Sequence, residues 1–367
     1  MEKACHPELD EGRHASHCVM VSLPAGRLTM TSKECYSTDH VMDLFFTVSL
    51  LTLGILLLGK GSDWLTDSLI PIAHKLGVSG VSIGLILVSV AVSLPEVLVA
   101  VFATIKGYHT LSLGVVLGSI ICNIGLMSGL CAIIRPLPVN TNIILRDGIF
   151  SLVVPVLVLA VSSGGQITRF EGLAFILLFI PYAINVFLQE RRISSQEKQK
   201  QQEEIEVELA LIGFEFGKLK PGWLSFFMGL SLLLLGTKFF GDELIHLADR
   251  FGFGELLIGV TLGALGPSLP NIAAAYSATK KGMGEIAVSE TLGSNIFTLL
   301  VTLGLSALIA PITLARQWII VDLPILLIMS TLLFIFLLTK RRISRLEGFI
   351  LLMGYLATLV LQVWLSV

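Results

Sequence analysis

The sequence SLPEVLVAVFATIKGYHTLSLGVVLGSIICN at residues 93–123 returns 175 positions later as SLPNIAAAYSATKKGMGEIAVSETLGSNIFT at residues 268–298. The identical positions include the motifs Ser-Leu-Pro, Lys-Gly and Leu-Gly-Ser, and half of them are glycine, proline, serine or lysine. Shared apolar composition alone does not produce matches of these residue types at one offset. The sequence therefore predicts two copies of one structural unit.

The composition of the chain is that of a membrane protein. Of its 367 residues, 54% are hydrophobic and 14% are charged, whereas a soluble domain of this size needs more charge to cover its surface. From residue 44 onwards, apolar runs of about 18 residues or more recur, and each can cross a hydrocarbon core of about 30 Å. Because lipid offers the backbone no hydrogen-bond partners, each run is predicted to be helical.

We predict an all-α membrane protein with ten transmembrane helices, arranged as two inverted five-helix repeats. The predicted helices cover residues 44–74, 79–105, 111–134, 143–162, 170–188, 222–249, 254–279, 285–309, 318–339 and 345–366. Five helices separate the two copies, so the second copy enters the membrane from the opposite side. The first repeat is placed at residues 43–188, a polar linker at 189–220 and the second repeat at 221–367. A duplicated helical bundle without transport activity is the alternative.

The basic residues predict the orientation. Lysines and arginines outside the helices are concentrated in the odd-numbered connections, above all in the linker 189–220 and at residues 340–345. The positive-inside rule places these connections in the cytoplasm. We therefore expect a multi-pass protein of the cell membrane with a cytoplasmic linker and both termini extracytoplasmic.

The N-terminal tail at residues 1–42 differs from the rest of the chain because it is polar and contains no apolar segment typical of a signal peptide. Met42 stands directly before the first apolar run. We expect the tail to be disordered, or to precede the native start of the protein.

The first candidate ligand for a cation is Glu96. A carboxylate in the middle of a membrane helix requires a cation, a partner or a proton. Pro95 removes a backbone donor, which frees carbonyl oxygens in the preceding turn. Ser93 lies three residues before Glu96 and shares its helix face. Hard cations bind this mixture of oxygen ligands, although a proline kink beside a protonated, structural Glu96 is an alternative.

The third and eighth helices carry further polar residues on one face. Ser119 and Asn123 are four residues apart, and so are their counterparts Ser294 and Thr298. A serine in such a position more often joins two helices, but its repetition in both copies makes it a candidate ligand.

The second Ser-Leu-Pro motif, which contains Ser268, is followed by Asn271 where the first copy has Glu96. An amide offers a carbonyl oxygen but no charge. Glu290 is one residue that could supply the missing charge. We favour a different interpretation, in which Glu290 lies near the membrane interface at the start of its helix.

The doubled Ser-Leu-Pro motif and the Gly-Ser helices that follow it resemble the cation/calcium exchanger superfamily, which contains sodium/calcium and proton/calcium antiporters. The resemblance covers about residues 59–138 and 234–313. It implies a central group of ion sites formed by the second, third, seventh and eighth helices. The residues that it implies as metal ligands are Glu96, Ser93, Ser119, Asn123, Ser268, Asn271, Ser294 and Thr298.

The resemblance implies a secondary active antiporter that exchanges Ca²⁺ for Na⁺ or H⁺ by alternating access. The sequence departs from the family pattern at Asn271, where members usually carry a second acid. A site with Glu96 alone leaves a bound divalent ion with a net positive charge in a low-dielectric setting, which is unfavourable. Antiport of another cation, monovalent or divalent, and a degenerate ion-binding protein without transport are therefore alternatives.

Other classes of function find little support in the sequence. The predicted helices contain no central Ser/His pair and no paired aspartates, so we do not expect an enzyme. We expect no cofactor, and we expect inorganic cations and the lipid bilayer, not nucleic acid, as partners. The sequence assigns no oligomeric state.

Overall fold

The computed structural model describes residues 32–75, 90–191, 220–251, 254–339 and 341–366. Most of the tail 1–42, the start of the predicted second helix and most of the linker 189–220 lie outside these ranges. The chain divides into two units, Met1–Phe45 and Phe46–Val367, and the site described below belongs to the second.

The described chain is mostly helical, as predicted. We number its main helices α1 to α10 in chain order. They are α1 Ser32–Lys75, α2 Leu94–Ile105, α3 His109–Ile134, α4 Ile144–Ser162, α5 Arg169–Arg191, α6 Trp223–Phe251, α7 Glu255–Lys280, α8 Gly284–Ile309, α9 Trp318–Leu338 and α10 Arg345–Ser366. From α3 to α10, each begins and ends within a few residues of its predicted position, whereas α1 begins at Ser32 rather than near residue 44.

Nine helices in the described ranges are long and apolar enough to cross a membrane. The remaining apolar helix, α2, has 12 residues. Residues 76–89, where the second predicted helix begins, lie outside the described ranges, so the prediction of a tenth crossing is not tested there.

The loops add four two-residue strands to the predicted all-helical fold. They are β1 Leu137–Pro138, β2 Gln166–Ile167, β3 Ile312–Thr313 and β4 Arg342–Ile343. β1 pairs with β4 and β2 pairs with β3, both antiparallel. Each pair therefore joins a loop of the first half to a loop of the second half.

The duplication in the sequence recurs in the structure. The α-helical segment His109–Cys122 of α3 corresponds at the 175-residue offset to Gly284–Phe297 of α8. In each helix a π-helical turn follows, beginning at Asn123 or at Thr298. The loop before each helix contains a glycine with positive φ, 90° at Gly107 and 92° at Gly282, a conformation that glycine adopts without steric penalty.

The helices that carry the repeated motifs lie at the centre of the protein. In the most apolar 18-residue stretch of α3, α7 and α8, 78%, 61% and 72% of the residues are buried. In the other six long helices the share is 22% to 39%. Gly118 allows α3 and α7 to approach closely, because a Cβ atom at this position would lie 2.6 Å from the Cα of Val260. This close contact brings the polar residues of the two halves together.

Candidate ion-binding site

All eight candidate ligands are buried. Their relative exposure is at most 3%, and they are Ser93, Glu96, Ser119, Asn123, Ser268, Asn271, Ser294 and Thr298. None of them faces lipid. This burial is what an ion site in the interior of a membrane protein requires.

The backbone at the first Ser-Leu-Pro motif is interrupted, as Pro95 predicted. Residues 90–92 are helical, Ser93 forms a turn, and α2 begins at Leu94 with Pro95 in its first turn. The second copy differs, because α7 continues as a helix through Pro267 and Pro270. The two halves thus present the same motif on different backbones.

Glu96 is held by two side chains of the second half. Ser268 Oγ and Asn271 Nδ2 both donate hydrogen bonds to Glu96 Oε1, at 3.0 and 3.3 Å. Glu96 Oε2 is buried and has no hydrogen-bond partner in the described part of the chain. Since a buried carboxylate needs compensation, this oxygen is available to a cation.

Ser93 contacts a second group of polar side chains. Asn123 Nδ2 donates to Ser294 Oγ at 3.2 Å, and Ser93 Oγ donates to the same oxygen at 3.5 Å. Asn123 Nδ2 also approaches Asn295 Oδ1 at 3.4 Å. Because Ser93 and Glu96 are three residues apart in one segment, this group and the Glu96 group are adjacent.

Ser119 and Thr298 are buried with the others, but no hydrogen bond joins their hydroxyls to any residue that the structure describes. The same is true of Asn123 Oδ1. A buried polar atom without a partner costs about 1–3 kcal/mol, which a bound cation would offset by supplying the partner. Asn123 and Thr298 each begin a π-helical turn, a feature frequent at functional sites.

These atoms form an oxygen-rich site with a single carboxylate. Within the described ranges, no group of three or more His, Cys, Asp or Glu residues could hold a metal ion. Carboxylate, hydroxyl and amide oxygens suit a hard cation such as Ca²⁺ or Na⁺, and one carboxylate provides a weak, exchangeable site more readily than a permanent one.

Sequence reasoning missed or misjudged two residues. Asn295 follows Ser294 directly and was not predicted as part of the site, yet it is 3% exposed and contacts Asn123. Glu290, which the sequence reasoning left out of the site in favour of a place near the membrane interface, is 7% exposed and lines a small cavity together with Asn271. Its position one turn before Ser294 was the signal that could have placed it near the site.

A family comparison decides the identity. The family described as "Sodium/calcium exchanger protein" matches residues 46–188 and 221–364. The chain belongs to this family. The resemblance inferred from the doubled Ser-Leu-Pro motif is thereby confirmed, and so is the prediction of a multi-pass integral membrane protein. The sodium/calcium exchanger family is a family of transporters, not of enzymes.

Individual relatives span nearly the whole chain. The sodium/calcium exchanger MaX1 of Methanosarcina acetivorans is 30% identical over 338 residues, covering 85% of this chain and 97% of that protein. The inner membrane protein YrbG of Escherichia coli is 30% identical over 325 residues, covering 88% and 98%. A solved structure of the sodium-calcium exchanger NCX_Mj matches with a TM-score of 0.59 and 27% identity, covering 86% and 98%.

Proposed function

We propose that this chain is a secondary active antiporter that exchanges Ca²⁺ for Na⁺ by alternating access. The observation that carries the proposal is the buried Glu96 carboxylate, held by Ser268 and Asn271 from the other half of the protein. The relatives MaX1 and NCX_Mj are named sodium/calcium exchangers, which supports these two ions. The same comparisons do not favour another cation or a degenerate protein without transport.

The eight buried polar residues are proposed to bind the transported cations. Glu96 supplies the charge, and the hydroxyl and amide oxygens replace the water molecules that the cation loses. Because both halves contribute ligands, a movement of one half against the other can open the site first to one side of the membrane and then to the other.

An inverted repeat of five and five helices is proposed as the basis of this movement. Its support is a set of reciprocal contacts between the halves. Arg169, the first residue of α5, donates from Nη2 to Ile309 O at 3.2 Å, and Arg345, the first residue of α10, donates from Nη2 to Ile134 O at 3.3 Å. The strand pairs β1–β4 and β2–β3 are reciprocal in the same way. Two-fold related units produce such exchanged contacts.

The division into repeats at 43–188 and 221–367 is proposed together with a cytoplasmic linker at 189–220. The two matched family segments, 46–188 and 221–364, support this division. The concentration of basic residues supports the orientation with both termini extracytoplasmic, and the naming of YrbG as an inner membrane protein supports the cell membrane. In a cysteine-free background, Lys281→Cys should react with a membrane-impermeant maleimide from the cytoplasmic side, and Arg316→Cys from the other side.

Transport by the purified protein tests the function. Proteoliposomes loaded with Na⁺ and diluted into Na⁺-free buffer should take up ⁴⁵Ca²⁺, and collapse of the Na⁺ gradient should abolish the uptake. A second experiment applies a proton gradient in the absence of Na⁺ and so distinguishes the two candidate coupling ions. If this gradient drives ⁴⁵Ca²⁺ uptake, the coupling ion is H⁺ and not Na⁺. Absence of any gradient-driven flux would contradict antiport and support the degenerate alternative.

A further inference from the structure

Glu290 is a buried carboxylate beside the ion site. It lies on α8 four residues before Ser294, which is about 6 Å along the helix axis. With Asn271 it lines a small cavity of about 10 Å³, roughly the room that one water molecule or one ion occupies. The other walls of the cavity are apolar, and they are formed by Val92, Ala274, Ala275, Ala278 and Ile286.

Asn271 connects this cavity to the ion site. The residue lines the cavity beside Glu290, while its Nδ2 donates to Glu96 Oε1 at 3.3 Å. Asn271 therefore belongs both to the Glu96 group and to the lining of the cavity that it shares with Glu290.

The duplication shows that Glu290 is particular to the second half. At the 175-residue offset its counterpart is Val115, which is fully buried and apolar. The counterpart of Asn271 is Glu96. The second half thus lacks the acid of the Ser-Leu-Pro motif but carries one on the adjacent helix, where the first half has none.

We propose that Glu290 is the second carboxylate of the ion pathway and sets the preference for divalent cations. This inference rests on the antiport proposed above. The second carboxylate acts at the cavity lined by Glu290 and Asn271, which lies on the side of the Glu96 group nearer to the Lys280–Lys281 loop. A divalent ion next to Glu96 then has a second negative charge close by, which offsets the positive charge that Glu96 alone leaves uncompensated.

The apolar walls strengthen this effect. Alanine, valine and isoleucine side chains carry no charges or strong dipoles, so the walls of the cavity screen the field of the Glu290 carboxylate only weakly. Since a divalent ion interacts with a given charge twice as strongly as a monovalent ion, loss of this charge affects the two ions unequally. If the Ca²⁺ affinity falls about tenfold, the Na⁺ affinity falls about threefold, the square root of that factor.

The test compares Glu290→Gln with the wild type in full-length protein reconstituted into liposomes. In Na⁺-driven ⁴⁵Ca²⁺ uptake, the Ca²⁺ concentration for half-maximal rate should rise about tenfold, and the Na⁺ concentration for half-maximal drive about threefold. Glu285→Gln removes the same charge from the first turn of α8 and is the matched control, expected to leave both values unchanged.

Each outcome decides the inference. A Ca²⁺ shift in Glu290→Gln no larger than that of Glu285→Gln overturns it while leaving the antiport intact. Equal shifts for Ca²⁺ and Na⁺ also overturn it, since they indicate altered packing rather than lost charge. If Glu290→Gln does not fold, Glu290→Ala removes the same charge in a cavity already lined by alanine and is judged by the same criteria. Absence of Na⁺-driven uptake in the wild type would contradict the proposed function itself.

Discussion

Replacing Glu96 by glutamine removes the only carboxylate among the eight proposed ligands and preserves its shape. The amide oxygen can accept the hydrogen bonds that Ser268 Oγ and Asn271 Nδ2 donate to Oε1 at 3.0 and 3.3 Å. The amide nitrogen takes the place of Oε2, which has no hydrogen-bond partner within the described ranges. The substitution therefore leaves the packing in place and turns the atom that faces the cation from an acceptor into a donor.

The size of the effect follows from the burial of Glu96. Removing one partner of a buried ion pair costs about 3–5 kcal/mol, and Glu96 is 1% exposed. At about 1.4 kcal/mol for each factor of ten, the Ca²⁺ affinity should fall roughly a hundredfold to a few thousandfold. Without cation, Glu96→Gln should be at least as stable as the wild type, because the variant no longer buries a charge.

Thermal unfolding of the purified protein in detergent measures both effects. At a Ca²⁺ concentration of about one hundred times the dissociation constant, binding stabilises the wild type by about 2.7 kcal/mol, and in Glu96→Gln this stabilisation should fall to about 0.4 kcal/mol or less at the same concentration. Glu285→Gln, the same substitution away from the site, should keep it. A Ca²⁺ affinity of Glu96→Gln within about threefold of the wild type would refute the assigned role, since that difference is under 1 kcal/mol.

Three further substitutions test other parts of the structure. Asn271→Glu should raise the Ca²⁺ affinity about tenfold or more, because it adds a second carboxylate to the site. Without cation it should lower the melting temperature, because two like charges replace the hydrogen bond between Asn271 and Glu96. Ca²⁺ titrations followed by thermal unfolding measure both effects, and an unchanged melting temperature without cation would contradict the contact. Gly118→Ala should destabilise the protein by about 1–3 kcal/mol, because its Cβ would meet the Val260 backbone. Thermal unfolding measures the loss, and an unchanged melting temperature would contradict the close approach of α3 and α7 at this position. Tyr182→Phe should lower stability by about 1.5–3 kcal/mol, because the Tyr182 hydroxyl donates at 3.0 Å to the buried Asp147 carboxylate; an unchanged denaturation midpoint would show that this bond contributes nothing.

The sequence predicted the helices well because the membrane constrains them strongly. Each crossing requires an apolar run of sufficient length, and a backbone in lipid must be helical. The helix bounds from α3 to α10 follow from these two requirements. The two-residue strands could not be predicted in this way, because they depend on loops such as Leu137–Pro138 and Arg342–Ile343 meeting across the protein.

The candidate ligands were predictable for a different reason. Glu96 and Asn271 occupy matching positions in two copies of one motif, and a polar residue in the middle of a membrane helix rarely lacks a role. Asn295 was missed because helical periodicity places it about 100° around the helix from Ser294. Its contact with Asn123 depends on how α3 and α8 are rotated against each other, which the sequence of neither helix specifies.

The sequence by itself determined the apolar spans, the duplication and the residue types available to bind a cation, since all of these depend on local composition and spacing. The tertiary structure alone decided that Ser268 and Asn271 donate to Glu96 across 172 and 175 positions of the chain, and that Glu290 is buried beside Asn271. Such contacts depend on the packing of helices from opposite halves. That packing is a property of the assembled core and cannot be read from the periodicity of any single helix.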